Sequence, residues 1–332
     1  MRLIEGLDKL LALDLRAGDG DGEGDELASH SVVAVGVFDG VHLGHQRLLQ
    51  QLRELSSALR GTPTVVTFAN HPQQILRGES PPLIVSVPHR LRLLRRAGVQ
   101  RLVLLDFDRR FREMTARDFA ADVLHRSLRA RGLLLGYDSA LGRDREGTPQ
   151  RFTELGAEFG FEVHTGTPFL VDGKVASSTE IRAAIARGDL DLAQRFLGRF
   201  PGALGDVVHG DDRGRSLGFP TANVAVQAAV MPPTGVYAVE AILDGVVHPA
   251  VANLGPKPTF AGVKAGGVGG GGGGGEVGLE VHLLDFEGDL YGRRMEVVFR
   301  RKLRDVARFA DAAALCEQIG RDIAEARRCL LA

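Results

Sequence analysis

The sequence predicts two domains: a doubly wound, Rossmann-like α/β domain, and then an antiparallel β-barrel that ends in a helix. In residues 1–198, short apolar runs alternate with amphipathic stretches, which is typical of a parallel sheet covered by helices. Beyond that point, strand-length runs follow one another across Gly, Pro and Asp turns, which favours a barrel. Phe200-Pro201-Gly202 breaks the last helical pattern, so we expect the domains at 1–198 and 199–332.

The apolar runs of the first half have strand length and are apolar on both faces, as buried parallel strands are. These runs are Val32–Val37, Thr64–Phe68, Arg101–Leu105, Gly132–Leu135 and Phe161–His164. Helical patterns lie between them. Thr115 with Asp118 predicts a capped helix start, Ser177 with Glu180 predicts another, and Gly188 is expected to end the latter.

The second half predicts a run of strands and then a helix from about Phe309. The expected strands are Gly205–His209, Gly235–Leu243, Val246–Ala252, Gly278–Phe286 and Arg293–Arg300. On the terminal helix, Ala314, Ile319 and Ile323 are the expected packing positions. Two Gly-rich segments, Gly18–Glu26 and Gly266–Gly275, are expected to be surface loops.

Composition excludes several classes of protein. Hydrophobic residues make up 44% and charged residues 25% of the 332 residues, and the formal net charge is −1. This balance is typical of a globular protein and disfavours nucleic-acid binding. Cys316 and Cys329 form no metal or disulfide pattern, so we expect a cytoplasmic protein. No run approaches the ~20 apolar residues of a membrane span, and the sequence leaves the oligomeric state open.

The stretch from Gly36 to His45 follows the first predicted strand and opens the first predicted helix. A helix start presents free N–H groups and a partial positive charge, which suit a phosphate. Gly40 allows a tight turn, and His42 and His45, three positions apart, are expected on one helix face. Two imidazoles can donate hydrogen bonds to phosphate oxygens as charge builds up during transfer. A zinc site would need more ligands, so we predict phosphate handling.

Three motifs of this half resemble a known family. Gly36-Val-Phe-Asp-Gly-Val-His-Leu-Gly-His45 resembles the His-x-Gly-His signature of nucleotidyltransferases, in the form found in bacterial bifunctional riboflavin kinase/FAD synthetases. Thr67-Phe-Ala-Asn-His-Pro72 is similar to that family's Thr-Phe-x-Pro-His-Pro, with Asn70 in place of the first proline. Ser177-Ser-Thr-Glu-Ile-Arg182 is similar to its Ser-Ser-Thr-x-Ile-Arg motif.

The resemblance implies that this domain adenylylates FMN with ATP, giving FAD and pyrophosphate, while Mg²⁺ neutralises part of the charge. His42 and His45 would be catalytic, and His71 and Asp138 would contact the flavin. The residues expected to bind ATP are Gly36, Phe38, Asp39, Gly40, His42, Gly44, His45, Ser177, Ser178, Thr179 and Arg182.

The expected flavin side departs from the family's Gly-x-Asp-Phe-x-Phe-Gly pattern. This chain reads Gly136-Tyr-Asp-Ser-Ala-Leu-Gly142, so Ser139 and Leu141 replace two aromatic residues. Tyr137 could substitute for them in part. The departure concerns the flavin and leaves the predicted ATP contacts intact.

In the barrel half, Gly218-Phe-Pro-Thr-Ala-Asn223 follows a basic, Gly-rich stretch, His209–Gly218. Pro220 fixes the chain, so Thr221 and Asn223 are held in a turn or an extended segment. In an extended chain, residues two apart point the same way. A hydroxyl and an amide placed in this manner can ligate Mg²⁺ and contact phosphate oxygens. The sequence has no Walker motif, so a kinase here would not be of the P-loop type.

This half resembles the family's riboflavin kinase domain over nearly its whole length, and the resemblance makes Glu280 the catalytic base. Leu279 and Val281 occupy the opposite strand face, so Glu280 can face a cavity. The residues expected to bind ATP and Mg²⁺ are Gly210, Arg213, Gly214, Gly218, Pro220, Thr221 and Asn223, with Thr221 and Asn223 as the metal ligands. The residues expected to bind the flavin are Gly235, Tyr237, Asn253, Phe260 and Glu280.

The combined prediction is a bifunctional transferase that acts on riboflavin, FMN and ATP. Its barrel would phosphorylate riboflavin to FMN, and its first domain would convert FMN to FAD. Two alternatives stay open at this point: a monofunctional riboflavin kinase with impaired flavin binding in the first domain, and a non-catalytic flavin-binding protein. Formation of FAD from FMN and ATP would exclude the first alternative, and turnover of ATP would exclude the second.

Overall fold

A computed structural model describes residues 1–12, 30–139, 141–210, 214, 217–227, 229–256 and 277–331. The segments Gly18–Glu26 and Gly266–Gly275 lie outside the described residues, as do Arg213 and Phe260 of the expected kinase site. The chain divides into two compact units, one comprising Met1–Leu83 with Val87–Ser178, and the other Ile84–Ser86 with Thr179–Ala332. The functional border at 198/199 stays a prediction.

The first unit contains a parallel sheet of six strands. They are β1 (Arg2–Glu5), β2 (Ser31–Val35), β3 (Thr62–Phe68), β4 (Arg101–Leu105), β5 (Ala130–Leu135) and β6 (Glu162–Thr165). Their order is β1-β4-β3-β2-β5-β6, and every neighbouring pair is parallel. The predicted α/β sheet is therefore confirmed. Strand β1 was missed because it is a four-residue edge strand with one buried side chain, Ile4.

Helices cover the sheet of the first unit. They are α1 (Leu7–Ala12), α2 (Leu43–Ala58), α3 (Pro72–Arg77), α4 (Val87–Arg96), α5 (Arg109–Glu113), α6 (Ala116–Asp118), a π-helical segment (Phe119–Ser127) and α7 (Pro149–Phe159). Thr115 and Asp118 form the predicted capping box at the start of α6. The core contains fully buried strand residues, among them Val33, Val66 and Val103, which pack with Phe119 and other aromatic side chains.

The second unit contains a closed antiparallel barrel. A short hairpin (β7, Leu170–Val171; β8, Lys174–Val175) precedes it along the chain, and the barrel strands are β9 (Gly202–Val208), β10 (Ala222–Val226), β11 (Gly235–Leu243), β12 (Val246–Pro256), β13 (Val277–Leu283) and β14 (Arg294–Arg304). Their order around the barrel is β10-β13-β12-β11-β14-β9. The predicted barrel is confirmed. The sequence did not identify β10, which closes it by pairing with β9 and β13.

Three further helices follow the first unit's sheet along the chain: α8 (Ser178–Arg187), α9 (Leu190–Leu197) and the terminal α10 (Ala312–Leu330). Gly188, with φ of 79°, ends α8 as predicted. The expected packing positions of α10 are only half-buried, whereas Asp322 and Ala326 are buried. Asp322 accepts three hydrogen bonds of 2.8–3.0 Å from the Arg304 guanidinium of β14, and this polar anchor sets the buried face of α10.

Among the described residues, no helix combines the length and the apolar character required for a membrane crossing.

Two candidate active sites

The turn between β2 and α2 contains three residues with left-handed backbone angles: Phe38 (φ 52°), Gly40 (φ 76°) and Val41 (φ 42°). A positive φ is uncommon for a bulky residue and is an outlier for a β-branched one, so this turn is strained. Turns of this kind bring successive backbone N–H groups together into concave anion sites. The strain lies directly before His42, at the carboxyl edge of the parallel sheet, where α/β proteins bind their ligands.

His42 is the N-cap of α2, and its Nδ1 accepts a hydrogen bond from the His45 backbone N–H at 3.4 Å. Because Nδ1 accepts, the neutral ring carries its proton on Nε2. The two imidazole rings stack with centroids 3.7 Å apart and planes inclined by 24°. A Cβ at Gly44 would lie 3.1 Å from two atoms of the His42 ring, so a larger residue at this position would crowd the ring. The sequence analysis predicted both histidines on one helix face. In the structure His42 is the N-cap of α2, and its ring stacks on the ring of His45 in the first turn of the helix.

His45 is poorly suited to carry positive charge. Burial lowers the pKa of His45 well below its usual range, and His42 and Arg90 lower it further. The His45 Nδ1 is buried and has no hydrogen-bond partner among the described residues. At neutral pH His45 therefore offers a neutral imidazole, and not an imidazolium ion, to an incoming phosphate.

The segment before α8 lies against the β2–α2 turn. The Ser178 hydroxyl donates to the carbonyl of the buried Asp39 at 3.2 Å, and the Ala176 carbonyl is 3.5 Å from the Cβ position at Gly44. Two expected ATP-binding segments thus meet within the first unit. Thr179 and Arg182 belong to the part of α8 in the second unit, and their contacts with ATP stay predictions.

The turn between β3 and α3 begins with Asn70, which replaces the proline of the family pattern. The Asn70 amide donates to the Phe107 carbonyl at 2.9 Å and accepts from the Phe107 N–H at 2.7 Å. The side chain of a proline cannot make these bonds. Asn70 therefore gives the turn a link to the segment after β4 that the proline of the family pattern could not provide. The next residue, His71, caps α3 by accepting from the Gln73 N–H at 3.2 Å. Its expected flavin contact stays a prediction.

The loop after β5 carries the departures from the family's flavin pattern. The Ser139 N–H donates to the Gly136 carbonyl at 3.1 Å, and Gly142 has φ of 80°. Tyr137 is 49% exposed, and Asp138 is also exposed. The loop therefore offers one accessible aromatic side chain beside the expected carboxylate.

Sequence reasoning missed Arg90, a residue of α4 that is 1% exposed. Its Nη1 donates to the Val37 carbonyl at 2.8 Å, and its Nη2 donates to the Phe68 carbonyl. The pattern did contain an indication. Leu93 and Leu94 follow Arg90 by three and four positions, so the arginine shares the buried face of its helix.

Three polar residues lie side by side across the barrel. Asn223 on β10 is paired with Glu280 on β13, which is paired with Asn253 on β12. Directly paired residues project from the same sheet face, with Cβ atoms about 4.5–5.5 Å apart. Leu279 and Val281 are 3% and 0% exposed in the barrel core, so this polar row lies on the opposite strand face and points out of the barrel. The sequence analysis predicted that strand face for Glu280, and its expectation that Glu280 faces a cavity stays a prediction.

Gly210 of the Gly-rich stretch lies directly against the polar row. A Cβ at Gly210 would be 1.9 Å from the Asn223 Nδ2, which leaves no room for a side chain. A Cβ at Gly214 would be 2.4 Å from the Phe219 carbonyl and 3.1 Å from the Thr221 Oγ1. Gly210 therefore lies against Asn223, the strand neighbour of Glu280, and Gly214 lies against Thr221 two positions before Asn223. A triphosphate would find its expected ligands there.

His282 fastens the Gly-Phe-Pro-Thr segment to the barrel beside Glu280. It follows Glu280 by two positions on the same strand face, and its Nδ1 is 2.8 Å from the Pro220 carbonyl. Its ring meets Phe219 edge-on, with centroids 5.9 Å apart. The sequence analysis missed this contact because it joins residues that are distant along the chain.

Tyr237 differs from the other expected flavin residues. Its ring is 0% exposed in the barrel core, and its hydroxyl donates to the Pro233 carbonyl. Burial raises the pKa of Tyr237 to about 12. The ring faces inward, whereas Glu280 faces outward, so this placement gives Tyr237 a packing role and offers no support for a flavin contact. Gly235, at the start of the same strand, is also buried.

A phosphate site at the edge of a parallel sheet and an outward carboxylate beside a Gly-rich turn define a two-domain phosphate-transfer enzyme. Comparison with known proteins agrees with this class. Residues 25–180 match the FAD synthetase family model, and residues 197–330 match the riboflavin kinase family model. The chain belongs to the bifunctional riboflavin kinase/FMN adenylyltransferase family.

Two relatives of that description span most of the chain. The protein from Escherichia coli K12 is 40% identical over 298 residues, which cover 89% of this chain and 91% of the relative. The protein from Bacillus subtilis is 33% identical over 307 residues, with coverage of 91% and 93%. A crystal structure from Streptococcus pneumoniae, described as that of a macrolide-efflux protein, has a TM-score of 0.78 and 30% identity, with coverage of 98% and 99%.

Proposed function

We propose that the chain makes FAD from riboflavin in two ATP-dependent steps, one in each domain, and that the polar row and the histidine pair carry them. The barrel phosphorylates riboflavin to FMN, and the first domain adenylylates FMN to FAD. The two family models support this division, because each matches one half of the chain. The observation that carries the kinase assignment is the outward row in which Glu280 stands between Asn223 and Asn253.

In the kinase step, the 5′-hydroxyl oxygen of riboflavin attacks the γ-phosphorus of ATP. A bond forms between them, the bond to the bridging oxygen breaks, and ADP leaves. Glu280 orients the hydroxyl and takes its proton. A carboxylate with an ordinary pKa of about 4.3 is a weak base for an alcohol. In a loose phosphoryl-transfer transition state the hydroxyl becomes acidic late, so a positioned carboxylate suffices.

The chemistry of Thr221 and Asn223 fits Mg²⁺. A hydroxyl and an amide oxygen are hard ligands, and Mg²⁺ usually binds one or two protein groups together with substrate phosphates. In the part of the chain that the structure describes, no group of three or more His, Cys, Asp or Glu side chains forms a metal cage. When bound, Mg²⁺ supplies charge neutralisation on the phosphates, while Thr221 and Asn223 hold them beside Glu280.

In the adenylyltransferase step, a phosphate oxygen of FMN attacks the α-phosphorus of ATP. The bond between the α-phosphorus and the bridging oxygen breaks, and pyrophosphate leaves. The FMN phosphate is already ionised, so no base is required. The β2–α2 turn holds the phosphates with its N–H groups, and His42 and His45 donate hydrogen bonds that strengthen as charge builds up. The alternative function, a monofunctional riboflavin kinase that does not perform this step, rests on Ser139 and Leu141 in place of two aromatic residues.

One incubation tests both assignments. The protein is mixed with riboflavin, ATP and Mg²⁺, and the flavins are separated by chromatography. We expect FMN first and then FAD. FMN alone, with no FAD from supplied FMN and ATP, would favour the monofunctional kinase, and unchanged riboflavin would favour a flavin-binding protein. We also place the protein in the cytoplasm, which the free Cys316 and Cys329 support.

A further inference from the structure

We propose that Arg90 is a positioning residue of the adenylyltransferase site, which holds the β2–α2 turn to the end of β3 and places a fixed positive charge near the histidine pair. The inference rests on the proposed function of the first domain. Arg90 belongs to none of the motifs that carry the family resemblance.

The first support is the position of the guanidinium in the sheet. The paired ladder between β2 and β3 ends at Val35 and Val66. Just beyond it, Arg90 donates to the carbonyl of Val37 in the β2–α2 turn and to that of Phe68, the last residue of β3. The planar fork of a guanidinium can hold two carbonyls in one fixed geometry. Arg90 therefore continues the connection between strands β2 and β3 at the point where the two strands separate.

A second hydrogen bond shows how closely this point is fixed. The Thr67 hydroxyl also donates to the Val37 carbonyl, at 3.0 Å. The residue after Val37 is Phe38, where the left-handed part of the β2–α2 turn begins. Arg90 and Thr67 therefore hold the last regular residue before the strained turn that leads to His42. A shift at Val37 would be transmitted to the histidine pair through only a few bonds.

The third support is the charge itself. Burying a guanidinium is unfavourable unless its charge is compensated, and an apolar side chain of similar size is often tolerated better. Arg90 donates to two neutral carbonyls, and its Nε has no hydrogen-bond partner among the described residues. Burial lowers the pKa of Arg90, and the nearby Asp39 carboxylate opposes that shift. We therefore infer that the buried charge of Arg90 is retained because it attracts the phosphates of the substrates.

Arg90 and the histidines then have complementary roles. Burial, the neighbouring His42 and the positive charge of Arg90 together lower the pKa of His45, so this imidazole stays neutral. The electrostatic attraction for ATP and FMN comes from the guanidinium, which keeps its charge at every physiological pH. The ligand-contacting groups and the charge that attracts the ligand thus belong to different residues.

Three variants of the full chain test this role: Arg90→Met, Arg90→Lys, and Arg95→Met as a matched control on the exposed face of α4. For each, kcat and KM are measured for FAD formation from FMN and ATP. The riboflavin kinase rate and the melting temperature are measured on the same preparation. Displacement of reacting groups by about 1 Å costs on the order of 10²-fold in rate, so both Arg90 variants should lose about that much in kcat.

The two Arg90 variants separate the effect of the two hydrogen bonds from the effect of the positive charge. Lysine keeps the charge but lacks the fork, so Arg90→Lys should lower kcat while the KM for ATP stays near its original value. Arg90→Met should lower kcat and also raise the KM for ATP and FMN. The kinase rate should be unchanged in both variants, and Arg95→Met should match the original protein throughout. A role in packing alone would lower the melting temperature and leave kcat and KM of the folded enzyme unchanged.

The outcomes are distinguishable. Normal kcat and KM in a folded Arg90→Lys and a folded Arg90→Met would overturn the inference and leave the proposed function standing. If Arg90→Met does not fold, Arg90→Lys decides: a lower kcat with normal kinase activity supports the inference, and unchanged constants overturn it. Absence of FAD formation in the unaltered protein would overturn the proposed function and the inference together.

Discussion

The two halves of this chain use the same nucleotide, but their sites are built from different parts of a fold. In the first unit the site lies where strands end: a strained turn, a helix start and two stacked imidazoles meet at the edge of a parallel sheet. In the barrel the site lies on the flank of the strands, where the polar row runs across three of them.

The difference follows the nucleophile that each site has to handle. The FMN phosphate is ionised before it reacts, so the step that we propose for the first unit needs hydrogen-bond donors and no general base. The riboflavin hydroxyl has to lose a proton, and its site places Glu280 between two amides. The residue types at each site therefore reflect the group that attacks the phosphorus. The glycines near both sites reflect the ATP that the two proposed reactions share.

The largest expected effect breaks the barrel site alone. Glu280→Gln keeps the shape of the side chain and removes its basicity, so the riboflavin kinase kcat should fall by about 10²–10⁴-fold. The rate of FAD formation from supplied FMN should not change. Glu287→Gln, an exposed neighbour after the same strand, is the control and should be neutral. Loss of both activities in folded Glu280→Gln would contradict the two-site arrangement.

The reciprocal change acts on the first unit. His42→Asn keeps a side-chain oxygen that can cap α2 and removes the imidazole, so FAD formation should fall by about 10²–10³-fold. The kinase rate should stay the same. His164→Asn, which alters an exposed histidine of β6, serves as the control. If FAD formation persisted in His42→Asn, the histidine pair would lose its assigned role.

A smaller effect should divide the barrel site into an ATP side and a flavin side. Asn223→Ala removes a group that we assign to Mg-ATP, and the KM for Mg-ATP should rise about 10–100-fold. Asn253→Ala, at the other end of the polar row, should raise the KM for riboflavin instead. Titration of each substrate at a fixed excess of the other measures both values. Identical responses in the two variants would refute the division.

The smallest effect concerns stability. The pKa of His45 is lower in the folded protein than the ordinary value of about 6.5, so the unfolded chain takes up a proton first as the pH falls. The ligand-free protein should therefore have its full stability above about pH 6.5 and lose stability below it. His45→Asn should flatten this dependence of the melting temperature on pH.

His30 provides a check on that interpretation. Burial also lowers its pKa, so part of the slope should remain in His45→Asn and decrease further when His30→Asn is added. An unchanged slope in His45→Asn would show that the histidine pair is not the group that titrates.

Much of this could be predicted from the sequence, because apolar periodicity and glycine placement act locally. The strands of the sheet and the outward orientation of Glu280 both follow from which neighbours are apolar. The β2–α2 turn was recognisable because Gly40 and Gly44 permit what other residues do not. These features depend on the chain within a few positions of the residue concerned.

The features that were missed depend on partners far away along the chain. Strand β10 is a strand only because β9 and β13 pair with it. The buried face of α10 is set by the bond between Asp322 and Arg304. A motif match suggested a flavin contact for Tyr237, but the barrel register turns its ring inward. Arg90 resembles a solvated helix charge until the two carbonyls that it binds are located.

The outward placement of the polar row has a consequence for how this protein can change. The barrel interior is filled by side chains such as Val239, Ala250 and Phe299, which take no part in the proposed chemistry. Substitutions among these side chains can therefore raise the melting temperature while turnover is preserved. The first unit offers no such separation, because Arg90 belongs to its interior and to its reaction at once. Adaptation to a hotter environment should therefore accumulate substitutions inside the barrel first.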